Sequence, residues 1–382
     1  MTDSAPEPPA PTAPADPYTE WEPTLAEIAA AGGTTLLLGG TDVGKTTFTR
    51  LLVNRITETG QQAALLDADL GQSEIGPPAC LGLAFAERPV LALSDLSPHA
   101  LAFVGSVSPP GHFLEYVAGV RRLADIAAAE LGSRAASSEP HPLLLVDTSG
   151  YLHGGAAQRL DRALFDLLAP AHVVALQRQD ELEPILHSLR RREGCRIHTP
   201  PIPAVIRKKP PSFRAQRRAM RFAAYFEGAA LHTYSFDEVA LVGTWMGSGT
   251  PLAAHLLKFL NQTFGPRLRV YYAEMAGRHL GMMVSQPLAA GSPGMGLAQE
   301  QLKAQAVSVT VAPRLRHLLL GLEGGNGKLL GLGLLEALDF RRRTLGVLTP
   351  VRAPGAARVL HFGSLRLTPE GAEIGTLRPG EL

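Results

Sequence analysis

Short apolar runs alternate with amphipathic stretches over the first 200 residues of the chain. Four apolar runs predict buried β-strands, and they are residues 34–38, 63–67, 143–147 and 172–176. The segments around them carry apolar residues at helical spacing, and they are residues 21–31, 46–59, 115–131, 158–168 and 181–192. Strands that alternate with helices predict an α/β fold, with a mostly parallel sheet and helices on both of its faces.

The pattern changes after about residue 230, where short apolar runs are separated by turns rich in glycine and proline. Seven runs predict strands, and they are residues 239–244, 269–274, 280–284, 306–311, 334–339, 344–348 and 357–362. We therefore predict an α/β domain at residues 20–229 and a smaller, mostly-β C-terminal domain at residues 230–382. Residues 1–19, rich in proline, alanine and acidic side chains, predict a disordered tail.

Composition narrows the class of protein. The chain has 382 residues and a formal net charge of +1, so no global field attracts it to nucleic acid or to a membrane. Its two cysteines, Cys80 and Cys195, lack metal-ligand spacing and fit a reducing compartment. No basic residue precedes Lys45, and no apolar run is long enough to span a bilayer. We expect a cytoplasmic protein that does not contact membranes.

Residues 39–46 read Gly-Gly-Thr-Asp-Val-Gly-Lys-Thr and match the phosphate-binding P-loop, GxxxxGK[ST]. Glycines let the backbone N–H groups point at a phosphate, Lys45 reaches the β- and γ-phosphates, and the Thr46 hydroxyl holds Mg²⁺. A predicted strand precedes the loop and a predicted helix follows it, so the helix N-terminus adds positive potential. The fold class is therefore that of a P-loop NTPase. The predicted nucleotide-binding residues are Gly39, Gly40, Thr41, Asp42, Val43, Gly44, Lys45, Thr46 and Thr47.

Acidic residues follow two of the other predicted strands. Asp67 and Asp69 end the second strand, where a carboxylate can orient a metal-bound water or accept a proton from an attacking hydroxyl. Asp147 ends an apolar strand in the manner of a Walker B acid, which binds Mg²⁺ through water. The predicted metal-binding residues are thus Thr46, Asp69 and Asp147. The alternative for all three acids is a purely structural role in capping a turn or a helix.

A basic segment at residues 204–226 carries seven positive charges before its first acid, Glu227. They are Arg207, Lys208, Lys209, Arg214, Arg217, Arg218 and Arg221. A helix from Ser212 would place the last four on one face, where guanidinium groups can clamp a phosphate or a phosphodiester backbone. The alternative is a solvated helix face in an arginine-rich sequence. The guanine-reading motif Asn-Lys-x-Asp is missing at residues 176–180, so the predicted nucleotide is ATP.

These segments resemble the polynucleotide 5′-hydroxyl kinases of eukaryotic RNA processing, which include the kinase subunit of the pre-mRNA cleavage machinery and the kinase of pre-rRNA processing. The resemblance covers about residues 20–370. Three motifs follow the P-loop and Phe48 in the first domain: Asp-x-Asp-x-Gly-Gln-x-Glu at 67–74 with Pro77 and Pro78, Phe-x-Gly-Ser-x-Ser-Pro at 103–109, and Asp-Thr-Ser-Gly-Tyr at 147–151. The basic segment resembles the lid of the family. Residues 331–339 and 347–351 resemble its C-terminal domain.

The resemblance implies ATP- and Mg²⁺-dependent phosphorylation of the 5′-hydroxyl of RNA or DNA. It assigns catalysis to Lys45, to Asp69 as the acid that orients or deprotonates the hydroxyl, and to the lid residues Arg214 and Arg218. It assigns the acceptor site to Gln72, Ser106, Thr148 and Tyr151.

Three departures from the family pattern stand out. Tyr151 replaces a frequent Trp, Asp147 replaces a frequent Asn, and only 38 residues precede Gly39, so the separate N-terminal domain of larger relatives is not expected. The sequence indicates no particular protein partner. A nucleotide-switched regulatory or assembly ATPase remains the alternative function, and a nucleic-acid-binding module with a structural ATP or a small-molecule kinase also remains open.

Overall fold

The first half of the chain is built on a seven-stranded sheet. The computed structural model describes residues 16–134, 143–152, 154–289, 291–378 and 380–382. Most of the predicted tail, residues 1–15, lies outside this range. The strands are β1 Gly33–Gly39, β2 Ala63–Ala68, β3 Cys80–Ala86, β4 Ala100–Phe103, β5 Leu143–Thr148, β6 His172–Leu176 and β7 Arg196–His198. The helices are α1 Glu22–Ala31, α2 Lys45–Glu58, α3 Phe113–Arg134, α4 Gly155–Leu168, α5 Glu183–Leu189 and α6 Pro211–Phe226.

The strand order is β4-β3-β2-β5-β1-β6-β7, and the five strands from β2 to β7 in this order are parallel. β3 and β4 extend the sheet by antiparallel pairing. Alternate side chains of a strand point to opposite faces, so Leu36 and Leu38 pack against α3, α4 and α5, whereas Leu37 packs against α1 and α2. The predicted α/β fold with helices on both faces is therefore confirmed.

The second half of the chain is mostly β. Its strands are β8 Ala230–Ser235, β9 Ala240–Val242, β10 Thr250–Pro251, β11 Val270–Ala276, β12 His279–Val284, β13 Ala306–Val311, β14 Leu318–Gly324, β15 Leu329–Asp339, β16 Thr344–Thr349, β17 Ala357–Leu367 and β18 Glu373–Thr376. Its helices are α7 Ala254–Phe264 and α8 Pro293–Leu302. Short 3₁₀ helices occupy Thr19–Trp21, Leu93–Asp95, Ala312–Leu315 and Pro354–Ala356. The mostly-β character was predicted, whereas α7 and α8 were not.

These strands form two sheets, with orders β10-β11-β12-β13 and β18-β17-β14-β15-β16-β8, and β9 pairs with β17. A buried apolar cluster joins the larger of the two to the first half, where Cys80 of β3 and Phe222 of α6 pack with Leu319 and Leu365. The division at residues 229 and 230 stays a prediction. Across the described ranges, no helix is long and apolar enough to cross a membrane.

Candidate active site

The P-loop links β1 to α2 in the way the sequence predicts. Gly44 adopts a left-handed conformation, with φ 98°, and caps α2, which begins at Lys45. The buried Lys45 side chain curls back over the loop, and its Nζ donates hydrogen bonds to the carbonyl oxygens of Gly39 (2.8 Å) and Gly40 (2.9 Å). The backbone N–H groups of the first helical turn have no partners inside the helix, so this end of α2 is suited to bind phosphate.

Gly150, just beyond β5, lies against the P-loop. A Cβ atom at Gly150 would be 2.5 Å from Thr41 Cγ2 and 2.8 Å from the Thr41 backbone nitrogen. Real Cβ atoms do not approach so closely, so only glycine at this position leaves the loop undisturbed.

We therefore predict that Gly150→Ala displaces the P-loop and lowers kcat/KM for ATP by about 10²-fold, the usual effect of a 1 Å misplacement in an active site. The matched control is Gly155→Ala in α4, where an added Cβ has no atom within 4 Å. Steady-state kinetics with ATP as the varied substrate measure the difference. Equal kcat/KM values in the two variants would contradict the close packing of Gly150 against Thr41.

The acids at the strand ends meet because β5 lies between β1 and β2. Asp67 and Asp147 are register partners on adjacent parallel strands, and Asp147 is also the partner of Leu37. The Thr46 hydroxyl donates to Asp147 Oδ2 at 3.0 Å. The other oxygen, Oδ1, is buried and has no hydrogen-bond partner within the described residues.

Burial raises the pKa of Asp147 to about 7, and the nearby carboxylates of Asp67 and Asp69 add to this rise while Lys45 opposes it. Two other carboxylates and one lysine thus act on the Asp147 carboxyl. A divalent cation would satisfy the unpartnered oxygen and offset the excess negative charge, and carboxylate and hydroxyl oxygens are the ligands that Mg²⁺ prefers. Thr46 and Asp147 therefore fit a bound Mg²⁺.

A raised carboxyl pKa has a consequence for stability. Between about pH 4 and pH 7 the folded protein keeps a proton on Asp147 that the unfolded chain has released. This difference contributes to the free energy of unfolding at low pH, and the contribution is lost as pH rises from about 4 to about 7. The shift corresponds to at most about 4 kcal/mol. We predict that Asp147→Asn, which cannot titrate, raises Tm at pH 8 in EDTA and flattens the dependence of Tm on pH. An unchanged profile would contradict this prediction. Some slope is expected to remain, because burial also raises the pKa of Asp67.

Asp67 and Asp69 have different environments. Asp67 is buried, and its Oδ2 accepts hydrogen bonds from the Ser73 hydroxyl and from the backbone N–H groups of Glu74 and Ile75. Its Oδ1 accepts the N–H of Asp69 at 3.0 Å. Asp67 therefore shapes the loop that follows β2, which supports the structural alternative for this residue.

Asp69 is only half-buried. Its Oδ1 accepts the backbone N–H groups of Gly71 (2.9 Å) and Gln72 (3.0 Å). Both bonds use the same oxygen, so the carboxylate is fixed in place. Within the described part of the chain Oδ2 accepts no hydrogen bond, so it can meet a metal ion or a hydroxyl. This is the arrangement that a positioned general base requires.

The basic segment forms α6, but its two predicted catalytic arginines have different partners. Arg214 Nη1 donates to Asp42 Oδ2 of the P-loop at 2.9 Å, so the structure brings this residue to the nucleotide site. Arg218 Nε instead donates to Glu373 of β18 at 2.7 Å and is not brought to the P-loop. The catalytic role of Arg218 stays a prediction.

The predicted acceptor residues are spread around the loops after β2, β4 and β5. Gln72 Nε2 donates to the Arg214 carbonyl at 3.2 Å and so connects the Asp69 loop to α6. The Ser106 hydroxyl donates to the Ser108 carbonyl and the Thr148 hydroxyl to the Leu37 carbonyl, at 2.9 and 2.6 Å. Tyr151 packs on Phe113, with ring centroids 6.2 Å apart. Gln72 and Ser106 thus belong to neighbouring loops, whereas the Thr148 hydroxyl is engaged within the sheet.

Three further arginines at the site have roles that the sequence pattern did not predict. Arg217 Nη2 donates to Glu74 Oε1 at 2.6 Å and Arg221 Nη2 to the Gly76 carbonyl at 2.7 Å, so these two arginines, not Arg218, hold α6 against the loop after β2. Arg178 donates to the Asp42 carbonyl at 2.9 Å. Their basic character was visible in the sequence, but their partners depend on the tertiary fold.

A P-loop with acids on the neighbouring parallel strands and an arginine helix beside it defines a P-loop NTPase of the phosphotransferase type. Residues 39–228 match the family model described as the P-loop of mRNA cleavage and polyadenylation factor CLP1. The family predicted from the sequence is thereby confirmed.

Relatives align over most of the chain. A polyribonucleotide 5′-hydroxyl-kinase of Pyrococcus horikoshii is 29% identical over 344 residues, which span 90% of this chain and 88% of that protein. One from Methanocaldococcus jannaschii is 27% identical over 347 residues, covering 90% and 89%. A CLP1 homolog of Culex quinquefasciatus is 26% identical over 212 residues, covering 54% and 48%.

Solved structures share the fold. Clp1p in complex with Pcf11p superposes with a TM-score of 0.57 at 13% identity, over 90% of this chain and 77% of that chain. A second structure of the Pcf11p–Clp1p interface, which concerns ATP loss in a glycine-to-arginine point mutant, has the same TM-score of 0.57. At this level of identity the likeness supports the fold alone.

Proposed function

We propose that this protein is an ATP-dependent polynucleotide 5′-hydroxyl kinase, which transfers the γ-phosphate of ATP to the 5′-hydroxyl end of RNA or DNA. The observation that carries the proposal is the position of Asp69. Its carboxylate is fixed near the strand-end acids Asp67 and Asp147, and it binds the N–H of Gly71, which packs against the 103–112 loop. A Cβ atom at Gly71 would be 3.0 Å from the Val107 carbonyl oxygen.

The chemistry follows from this arrangement. The 5′-oxygen attacks the γ-phosphorus, the bond from that phosphorus to the β,γ-bridging oxygen breaks, and ADP leaves. Asp69 orients the hydroxyl and takes its proton. Lys45 and Arg214 are positioned to stabilise the negative charge that develops on the transferring group, because both lie at the P-loop.

Thr46 and Asp147, with Asp69 beside them, are the residues that would hold Mg²⁺. When bound, this ion neutralises charge on the β- and γ-phosphates. The residues present thus account for a nucleotide donor, a metal site and a base for the acceptor.

The nature of the acceptor rests on two further observations. The full-length archaeal relatives are named polyribonucleotide 5′-hydroxyl-kinases, which favours an RNA 5′ end. Arg207, Lys208 and Lys209 precede α6 and are exposed, so they can contact a phosphodiester backbone. We also infer a cytoplasmic location, since both cysteines are free.

ATP turnover with and without an acceptor tests the proposal against the regulatory ATPase. We expect ADP formation in Mg²⁺ to rise at least about tenfold when a 5′-hydroxyl oligoribonucleotide is added, because the base at Asp69 needs a hydroxyl to act on. An oligonucleotide that already carries a 5′-phosphate is the matched control and is expected to give no increase. Equal ADP formation under all three conditions would favour the ATPase.

A further inference from the structure

The 103–112 loop, which carries the predicted acceptor residue Ser106, is held by the second half of the chain. The Gly105 carbonyl accepts the backbone N–H groups of Ser364 (2.9 Å) and Leu365 (3.1 Å) in β17. Gly105 and Gly363 face one another so closely that a Cβ on Gly105 would be 2.4 Å from Gly363 Cα. The two glycines therefore allow a backbone contact that no other residue pair would permit.

A side-chain contact closes the other end of the same loop. The Ser364 hydroxyl lies 2.7 Å from His112 Nε2, in hydrogen-bond contact, and 3.5 Å from the Gly105 carbonyl oxygen. Glu115 Oε2 is 4.0 Å from His112 Nδ1. One serine of β17 thus touches both the beginning and the end of the loop.

The loop in turn contacts the catalytic edge of the first sheet. Val107, at its tip, packs its carbonyl against Gly71, and the Asp69 carboxylate binds the N–H of Gly71. The Ala79 carbonyl accepts the N–H groups of Val104 and Gly105, at 3.1 and 3.0 Å. A continuous series of short contacts therefore runs from β17 through the 103–112 loop to Asp69.

We propose that Gly363 and Ser364 of β17 are positioning residues for the polynucleotide acceptor. They fix the 103–112 loop so that an entering 5′ end meets Asp69, and the second half of the chain is therefore part of the acceptor site. The inference deepens the proposed function and rests on it. It concerns acceptor binding, so the donor site at the P-loop is expected to be unaffected.

Ser364→Ala tests the inference. It removes the hydroxyl contact to His112 but leaves the backbone hydrogen bonds of β17 in place. We expect KM for a 5′-hydroxyl oligoribonucleotide to rise about three- to tenfold, the effect of one lost hydrogen bond, with KM for ATP unchanged. The chain offers a matched control in Ser308→Ala, because Ser308 makes a similar contact to His279, at 2.9 Å, in the other C-terminal sheet. This control is expected to change neither KM.

Three further variants test the contact between β17 and the 103–112 loop. His112→Ala is expected to raise the oligonucleotide KM as Ser364→Ala does, whereas His112→Gln, whose amide nitrogen can replace Nε2, is expected to restore much of it. Gly363→Ala forces the two backbones apart and is expected to have a larger effect than either.

The possible results distinguish the inference about β17 from the proposed kinase activity. Active wild-type protein with an unchanged oligonucleotide KM in Ser364→Ala overturns this inference alone. A loss of kcat with both KM values unchanged also overturns it, because that result indicates a smaller active fraction. Wild-type protein without any phosphate transfer overturns the proposed function and the inference together.

Discussion

Lys45→Ala is expected to lower kcat for phosphate transfer by about 10³-fold or more, the scale on which loss of a charged group that stabilises a phosphoryl transition state is felt. The ammonium group is the one positive charge of the P-loop itself, and it already lies within 2.9 Å of the Gly39 and Gly40 carbonyls. Alanine keeps the helical conformation at the start of α2 but supplies no charge to the transferring phosphate.

The fold is expected to survive this substitution. The Gly39 and Gly40 carbonyls lose a donor, which costs about 1 kcal/mol each at most when water can replace it. Thermal unfolding is therefore expected to shift by only a few degrees. Lys328→Ala, at an exposed lysine in the turn between β14 and β15, is the control and is expected to keep full activity. Transfer by Lys45→Ala within tenfold of wild type would show that the lysine has another role.

Asp69→Asn is expected to lower kcat by about 10²- to 10⁴-fold, the usual contribution of a positioned general base. The substitution is nearly isosteric, and the amide oxygen can still accept the N–H groups of Gly71 and Gln72 that now bind Oδ1. The loop is thus preserved while the ability to take a proton is lost. KM for ATP is expected to stay close to the wild-type value.

Asp67→Asn provides the contrast, because the Asp67 carboxylate has a structural role. Asp67 Oδ2 accepts three hydrogen bonds and Oδ1 accepts one, so an amide nitrogen would meet at least one buried donor in either orientation. A loss of about 1–3 kcal/mol in unfolding free energy is expected, since buried donors are left unpaired. Chemical denaturation and transfer assays on both variants measure the difference. A similar loss of stability in Asp69→Asn, or undiminished transfer, would refute the role given to Asp69.

Local pattern was enough to predict the elements that build the nucleotide site. β1, the P-loop and α2 carry a motif whose spacing requires a strand before it and a helix after it. β3 was missed because Gly82 interrupts its apolar run. The structure explains that glycine, since a Cβ there would be 2.2 Å from the Ile75 carbonyl oxygen. α7 and α8 lie between strands of a region whose turns are rich in glycine and proline, so strand signals dominated the prediction.

The arrangement of the site depended on information that sequence does not carry. Helical spacing places Arg214 and Arg218 on one face, yet Arg214 reaches Asp42 of the P-loop and Arg218 reaches Glu373 of β18, because the partners come from different halves of the chain. The adjacency of Asp67 and Asp147 follows from strand order, with β5 between β1 and β2. The contact of Ser364 with Gly105 joins residues 259 positions apart, which no motif could indicate.

The position of the transferred phosphate on the product tests the proposed kinase reaction most directly. The protein is incubated with Mg²⁺ and ATP labelled in the γ-phosphate, together with an oligoribonucleotide bearing a 5′-hydroxyl, and the product is digested to locate the label. We expect label on the 5′-terminal oxygen alone, none on an oligonucleotide with a 5′-phosphate, and at least about a hundredfold less label with Asp69→Asn. Labelled inorganic phosphate without labelled oligonucleotide, from protein shown to be folded, would contradict it.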